Sequence, residues 1–406
     1  MAPSEYQAIH LQKIFNRMSP ALHIITPEYP PQAGGVSDYT KHVAAALADA
    51  GEHIDVWCPI RDPAFEQVTK VRVHEELGRL KPADLLRLGV ALNQFPQPRR
   101  LLLQWVPHGY GYRSMNVPFC LWLCARSLFR RDEIEIMVHE PFLAFREGNL
   151  KQDLAAVVHR IMAVILLSST RRVWVSTPKW IEGLKPYAWG RKISFEWLPI
   201  PSNVPIVDDP VGIREIRRGL NSSGIVFGHF GTFGRGIASL LQDMVPCLLR
   251  AMPNATMLLI GPGGERFRAE LMGQCPEIAG RIVATGYLSL SDLSLHIRAC
   301  DVMVQPFPDG VTTRRTSVMA ALSHGCATVT TFGRLSEPFW RDTSAVALHP
   351  PGDLQLFMKI ARQLSESAAE RSVLGHNAKT LYSERFDIRH TVEALRAIKE
   401  LVSCGS

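Results

Sequence analysis

Leu22-His23-Ile24-Ile25-Thr26 runs straight into Pro27-Glu28-Tyr29-Pro30-Pro31-Gln32-Ala33-Gly34-Gly35, and from Val36 to Ala50 apolar residues recur at helical spacing. A short apolar run, a Pro- and Gly-rich turn and an amphipathic segment predict a strand, a tight loop and a helix packed back on the strand. Val36, Tyr39, Val43 and Leu47 share one face of that helix. Glycines at such a turn let a ligand approach the backbone and aim the first helical N–H groups at an anion. The turn is not G-x-G-x-x-G, and the next strand offers only Asp55 as the acidic partner that a dinucleotide fingerprint needs. On its own, Gly34-Gly35 reads equally well as a plain turn.

The same strand, loop and helix alternation continues outward. Strand-like runs at 54–58, 101–106, 135–138, 173–175 and 195–198 complete a first set. Pro199-Ile200-Pro201-Ser202-Asn203-Val204-Pro205 and Asp208-Asp209-Pro210 then break the pattern, and a linker is expected over 199–223. Alternation resumes with strands at 225–230, 255–260, 282–285, 302–305 and 327–330, and helices starting near Ile237, Ser291, Ser317 and Asp353. Alternation of this kind predicts an α/β fold with two doubly wound parallel-sheet, Rossmann-like domains. The expected division is an N-terminal extension over 1–18, domains over 19–205 and 206–385, and a C-terminal helix over 386–406. Ile388, Val392, Leu395, Ile398 and Leu401 put one apolar stripe on that helix, which is expected to pack back across the domains.

Bulk properties agree with two domains and exclude several classes. A chain of 406 residues exceeds one ordinary core. Its 46% hydrophobic and 20% charged residues exclude intrinsic disorder. No apolar run approaches the roughly 20 residues needed to cross a bilayer. The first residues carry neither a basic opening nor an apolar segment of the secretory kind, so a cytoplasmic protein is expected. Eight cysteines without a C-x-x-C pair indicate neither a disulfide framework nor a zinc site. The net charge of +7 suits an anionic ligand or an acidic membrane surface, and no basic and aromatic interleaving points to nucleic acid. Residues 119–131, apolar and ending in Arg130-Arg131, fit either peripheral contact with headgroups at the inner face of the membrane or a buried helix with a basic end.

Several loops carry groups suited to chemistry. His139-Glu140-Pro141-Phe142 follows a strand, at the carboxyl end where open α/β sheets hold ligands. Gly228-His229-Phe230-Gly231-Thr232-Phe233-Gly234-Arg235-Gly236 is a second strand, glycine turn and helix start, from which Arg235 can reach a phosphate. Gly261-Pro262-Gly263-Gly264 closes the next strand. Asp309-Gly310-Val311-Thr312-Thr313-Arg314-Arg315-Thr316-Ser317 closes a later one, with hydroxyls, amides and two arginines that can cradle a diphosphate. Trp105, His108, Tyr110, Tyr112 and Arg113 form an aromatic and polar loop suited to lining an acceptor site. No D-x-D metal signature lies near a strand end.

In this order the segments resemble the GT-B glycosyltransferases of the retaining family 4 type, over about residues 22–402. The resemblance rests on the Pro30-Pro31-Gln32-Ala33-Gly34-Gly35-Val36-Ser37 loop, Leu258-Leu259-Ile260-Gly261-Pro262-Gly263, Gly286-Tyr287-Leu288 and Ala299-Cys300-Asp301-Val302-Met303-Val304-Gln305-Pro306, besides the interdomain segment at Pro199. It implies two domains facing a cleft and a nucleoside diphosphate sugar as co-substrate with no separate cofactor and no metal. A glycan, lipid-linked or small-molecule acceptor with a hydroxyl group follows from the same likeness.

The resemblance also assigns residues. His139 matches a histidine that contacts the transferred sugar, and Gly34 and Gly35 would face donor phosphates or acceptor. Arg235 falls at a lysine position and His229 at an arginine position of the loop that offsets charge on the leaving diphosphate. Gly231, Thr232, Gly261, Gly263, Gly286, Tyr287, Leu288, Thr312, Thr313, Arg314, Arg315, Thr316 and Ser317 complete the implied donor site. The family's paired glutamates are altered. Ala320 stands at the second, and at the first either Thr312 or, with a short insertion, Asp309. A subgroup without the usual pair is therefore expected, with His139, Arg235 and Asp309 as catalytic candidates. A sugar-nucleotide epimerase and a catalytically idle scaffold are the rival readings.

Overall fold

The computed structural model describes residues 21–61, 70–220 and 224–397. The expected N-terminal extension, and Ile398 and Leu401 of the terminal stripe, lie outside the described residues. The chain divides into two compact units, one formed by the residues up to Pro199 together with those from Thr391, the other running from Ile200 to His390.

The first unit holds seven strands, β1 (Leu22–Ile25), β2 (Ile54–Pro59), β3 (Val71–Gly78), β4 (Arg100–Trp105), β5 (Glu133–Val138), β6 (Thr170–Val175) and β7 (Ser194–Trp197). They pair in parallel in the order β3-β2-β1-β4-β5-β6-β7. Every residue of β1 and β4 is buried, as expected of central strands covered on both faces. β3 went unpredicted because Arg72, His74, Glu75 and Glu76 give an edge strand no apolar run to read.

The second unit holds β8 (Val226–Phe230), β9 (Thr256–Ile260), β10 (Ile282–Ala284), β11 (Val302–Gln305), β12 (Ala327–Thr331) and β13 (Ala347–His349), parallel in the order β10-β9-β8-β11-β12-β13. Strand alternation sends Phe227, Met257, Leu259, Val302 and Val304 into one core with Leu241, Val245 and Phe357 of flanking helices. Val226, Leu258, Ile260 and Met303 face the other way, onto Leu293, Ile297, Ala320 and Ala321. Both faces are therefore covered, and the doubly wound α/β architecture is the one predicted.

Two boundaries differ from expectation. The unit boundary falls at Pro199 rather than at 205/206, because Ile200 N donates to Thr313 O at 3.0 Å and Ser202 N to the Tyr382 hydroxyl at 3.1 Å. These bonds make the proline-rich segment part of the second unit. The expected linker also contains a helix, Pro210–Gly219, capped by Asp209, whose carboxylate accepts from Val211 N and Gly212 N at 3.0 Å each. No residue of that helix is fully buried, and the Asp208-Asp209-Pro210 breaker that opens it reads as loop. At the other end, Arg100 Nη1 donates to Leu395 O at 2.7 Å and Arg396 pairs with Glu52 at 3.1 Å. The last described turn thereby docks on the first unit.

Candidate functional site

Strand order reverses between β1 and β4 in the first sheet and between β8 and β11 in the second. Open α/β sheets bind ligands beyond the carboxyl ends of the strands at such switch points.

In the second unit, the helices that follow β8, β9 and β11 are Arg235–Ala251, Gly264–Gln274 and Thr316–Ser323. They start from Gly234, Gly263 and Arg315, and no side chain of those residues caps them. Elsewhere in the unit, Asp209, Ser289, Asp353 and Ser367 cap their helices with side-chain oxygens. A helix start leaves amide donors and the positive end of the dipole unsatisfied. Three such starts lie on adjacent strands at the switch point, so the expected glycine loops share one sheet edge. Gly231 N donates to Ile260 O at 3.1 Å, and Gly261 bridges to Gly286.

Charge placement agrees with these helix starts. Arg235 is exposed at the first position of its helix, and no described residue pairs with it. A cation at a helix N-terminus costs about 0.3–1 kcal/mol unless an anion stands near it. Arg314 and Arg315 are half-buried, and the Arg315 guanidinium lies 4.5 Å over the Phe307 ring. Thr316 and Ser317 open the third helix and Thr232 is exposed. Tyr287 stands out at 83% exposure, whereas Leu288 packs on the core, which leaves it little surface for a ligand.

The structure reassigns two members of the expected cradle. Thr313 is wholly buried, its amide and hydroxyl both donating to Glu337 Oε1, at 3.1 and 2.8 Å. It holds the loop rather than a ligand. Asp309 pairs with Arg334 at 2.8 Å, and its carbonyl accepts from Leu335 N at 2.9 Å. Its carboxylate therefore ties two loops. Glu337, buried and also accepting from Trp340 Nε1 at 2.8 Å, had no signal in the sequence because its partners are brought by a separate strand. Thr312 is buried with no hydrogen-bond partner for its hydroxyl.

In the first unit the glycine loop works differently from expectation. Glu28 Oε1 accepts from both Val36 N and Ser37 N at 3.0 Å, so the chain's own carboxylate occupies the helix start. A Cβ on Gly34 would lie 2.3 Å from that carboxylate oxygen. Gly34 therefore admits Glu28, which meets the helix amides there, while a Cβ on Gly35 would meet nothing within 4 Å.

His139 follows β5, as expected. Its Nε2 lies 2.8 Å from Gln104 Oε1, which can only accept, so Nε2 carries the proton. The ring stands edge-on to Tyr39, at 4.9 Å between centroids. His139 is thus brought onto the helix of the glycine loop. Of the acceptor candidates, Tyr110 is withdrawn: it is fully buried, stacks on Trp105 and Phe119, and donates to Gln104 O at 2.7 Å. His108 is exposed and sits 3.8 Å from Glu140. Tyr112 and Arg113 are exposed in a left-handed turn that continues through Ser114, with φ of 47°, 53° and 72°. Such non-glycine runs store strain and recur at functional sites.

The helix Val117–Arg130 spans that segment up to its last residue. It buries Phe119, Cys120 and Leu123 while Leu128 and Phe129 stay exposed before Arg130 and Arg131. Among the described residues no helix is long and apolar enough to cross a membrane, and no group of three or more His, Cys, Asp or Glu is placed to hold a metal.

Two buried histidines fix an acid response. Burial pushes the pKa of His23, which accepts from Trp57 Nε1 at 3.2 Å, down to about 4, against an opposing pull from Asp55. Burial also pushes His229 down to about 4. Each binds a proton more readily when unfolded, at an ordinary value of 6.5, so stability is whole above that value and falls as pH drops toward 4. The loss is on the order of 3 kcal/mol per imidazole at the acid end. Urea melts between pH 7 and pH 5, where most carboxylates remain ionised, are expected to show falling midpoints. A His23→Asn background should lessen the response of the first unit, where burial also pushes His159 down, and flat midpoints in the parent chain would contradict the assignment.

Comparisons with known structures agree with this geometry. Sucrose-phosphate synthase from Thermosynechococcus elongatus superposes with a TM-score of 0.71 at 16% identity, covering 96% of this chain and all of that one. HepE from Anabaena, in complex with UDP and glucose, gives 0.67 at 18% identity over 95% of this chain and 100% of its own. A UDP-forming α,α-trehalose-phosphate synthase from Burkholderia xenovorans, in complex with glucose-6-phosphate, gives 0.67 at 14% identity, over 92% and 98%. Their two Rossmann-like domains define the GT-B fold, and this chain has that fold. More narrowly, residues 224–367 match the family described as "Glycosyl transferases group 1". No curated protein sequence matches the chain.

Proposed function

We propose that this chain is a retaining, metal-independent glycosyltransferase that moves a glycosyl group from a nucleoside diphosphate sugar to a hydroxyl of a glycan, lipid-linked or small-molecule acceptor. The observation that carries the reading is the set of three helix starts without side-chain caps, at Gly234, Gly263 and Arg315, on adjacent strands at the switch point. The matched family segment covers these starts. In the reaction the bond from the anomeric carbon to the diphosphate oxygen breaks, the electron pair leaves with the diphosphate, and the acceptor oxygen bonds the same carbon and gives up its proton. Helix amides and Arg235, with Arg314 and Arg315, stabilise the departing charge, which is the largest physical demand of the step. The first unit contrasts with this, because Glu28 already fills its glycine-loop helix start. The diphosphate is therefore assigned to the second unit.

Thermal shift with a panel of UDP-, GDP- and ADP-sugars tests the reading. The cognate donor at 100 times its Kd is expected to stabilise the protein by about 2.7 kcal/mol. Arg235→Ala should weaken nucleoside diphosphate binding and slow donor hydrolysis roughly 10²-fold, in keeping with the loss of one group that meets developing charge. No response to any sugar nucleotide removes the reading and favours an idle scaffold. Conversion of the donor to an isomer without acceptor favours an epimerase.

A further inference from the structure

His229 lies near the carboxyl end of β8, directed to the same face as Phe227. Its Nδ1 is 2.8 Å from Val304 O, and a carbonyl can only accept, so Nδ1 holds the ring proton. The neutral ring, kept so by burial, leaves Nε2 as a bare acceptor. That nitrogen is buried and has no hydrogen-bond partner among the described residues, and the residue is only 1% exposed. An unpaired buried acceptor costs about 1–3 kcal/mol, and such atoms in a folded protein call for a ligand or a water.

The lone pair has a definite neighbourhood. A Cβ built on Gly231 would stand 3.8 Å from His229 Nε2 and 3.9 Å from both Cβ and Oγ of Ser317. Ser317 is the second residue of the helix Thr316–Ser323, whose start has no side-chain cap. The missing side chain of Gly231 thus leaves a gap lined by an acceptor, a hydroxyl and a helix start.

The two kinds of group ask for different partners. Amides at the helix start favour an anionic oxygen, whereas the imidazole lone pair repels one and requires an O–H or N–H. A hydroxyl one or two carbons from a phosphate ester satisfies both at once. A nucleobase N–H is separated from the diphosphate by the whole ribose.

We propose that His229 Nε2 accepts a hydrogen bond from a hydroxyl of the bound sugar nucleotide, at the gap beside Gly231 and Ser317, and so selects the donor. This rests on the proposed function. The hydroxyl belongs to the transferred sugar or to the ribose, and the two sources are separable. By the resemblance this position usually carries an arginine, so a neutral acceptor here shifts the task of charge compensation to Arg235 and the Arg314-Arg315 pair.

Calorimetric titration of the intact chain with UDP-glucose and with UDP, for wild type, His229→Leu and His229→Gln, tests the assignment. GDP-mannose and GDP serve in the same way if the guanine series is the one that binds. His229→Leu is expected to weaken the sugar nucleotide roughly five- to tenfold, the worth of one hydrogen bond. Its melting temperature is expected to change little, because relief of the unpaired Nε2 is offset by loss of the Nδ1 donor to Val304 O. His229→Gln, which keeps an acceptor, should recover part of the affinity and covers the case in which the leucine variant fails to fold. Loss confined to the sugar nucleotide identifies the sugar hydroxyl, and equal loss with the free nucleoside diphosphate identifies the ribose. Undiminished binding by both variants overturns the inference alone, whatever the melting temperature does. Failure of the wild type to bind any of these probes removes the proposed function and this inference with it.

Discussion

His139→Ala is expected to lower turnover of the cognate nucleoside diphosphate sugar by about 10²–10³-fold, the order lost with one positioned polar group at a site of developing charge. Affinity for the free nucleoside diphosphate should change little, because the helix starts proposed to bind it belong to the second unit and His139 to the first. The side chain is half-buried, held at Nε2 by Gln104 and along its edge by Tyr39. Truncation also strips Gln104, a fully buried residue, of the partner to its amide oxygen. A stability loss of about 1–3 kcal/mol therefore accompanies the kinetic one. Single-turnover kinetics below the melting transition separate the two effects. His139→Gln, which keeps a donor within reach of Gln104, should regain most of the stability and little of the turnover. Equal losses in turnover and nucleoside diphosphate affinity would assign His139 to binding.

Gly310→Ala is expected to destabilise the second unit by about 3–5 kcal/mol, combining a left-handed backbone with an overpacked contact. Gly310 has φ of 88°, and a Cβ there would lie 2.1 Å from Gly333 N and 2.2 Å from Ser336 Oγ. These contacts cannot relax easily, because the loops after β11 and β12 are laced together along their length. Phe307 N donates to Thr331 Oγ1 at 2.8 Å, Val311 N to Thr331 O at 2.7 Å and Leu335 N to Asp309 O at 2.9 Å. Further along, Thr313 hangs on Glu337. Displacing Gly310 therefore moves the segment that leads into Thr316 and Ser317. Urea unfolding should resolve the change as an early transition of one unit, with sugar-nucleotide binding weakened even at low urea. A variant that melts like the parent would show that these loops yield freely.

Much of the architecture could be read from short patterns. Apolar runs of four to six residues ending in Gly- or Pro-rich turns located β1, β8, β9 and β11 to within about two residues, the usual error of boundaries read from sequence. These strands are central, so burial on both faces makes them largely apolar. The edge strand β3 was missed for the converse reason, since its charged residues interrupt any apolar run, and the helix Pro210–Gly219 because the Asp208-Asp209-Pro210 breaker hides its start.

The candidate site was legible in residue type and only partly in role. Position after a strand placed His139, Arg235 and Ser317 near strand ends, because parallel sheets bring the loops after successive strands to one edge. What Tyr110, Thr313, Asp309 and Gly34 do depends on partners distant in sequence: Gln104 and Phe119 for the first, Glu337 for the second, Arg334 for the third and Glu28 for the last. An aromatic in a loop can cap a core or stack on a ligand, and only burial separates these.

The glycine-led turn at Gly34 and its counterpart at Gly234 show where the line falls. Sequence by itself determined that each is a strand, a turn and a helix start, because local sterics and the switch of hydrophobic period from strand to helix are properties of contiguous residues. Tertiary structure alone decided which start has its amides met by a side chain. Glu28 folds onto the first, while among the described residues no side-chain cap covers the second. That choice depends on where a carboxylate comes to rest once the chain has packed, which no local pattern encodes.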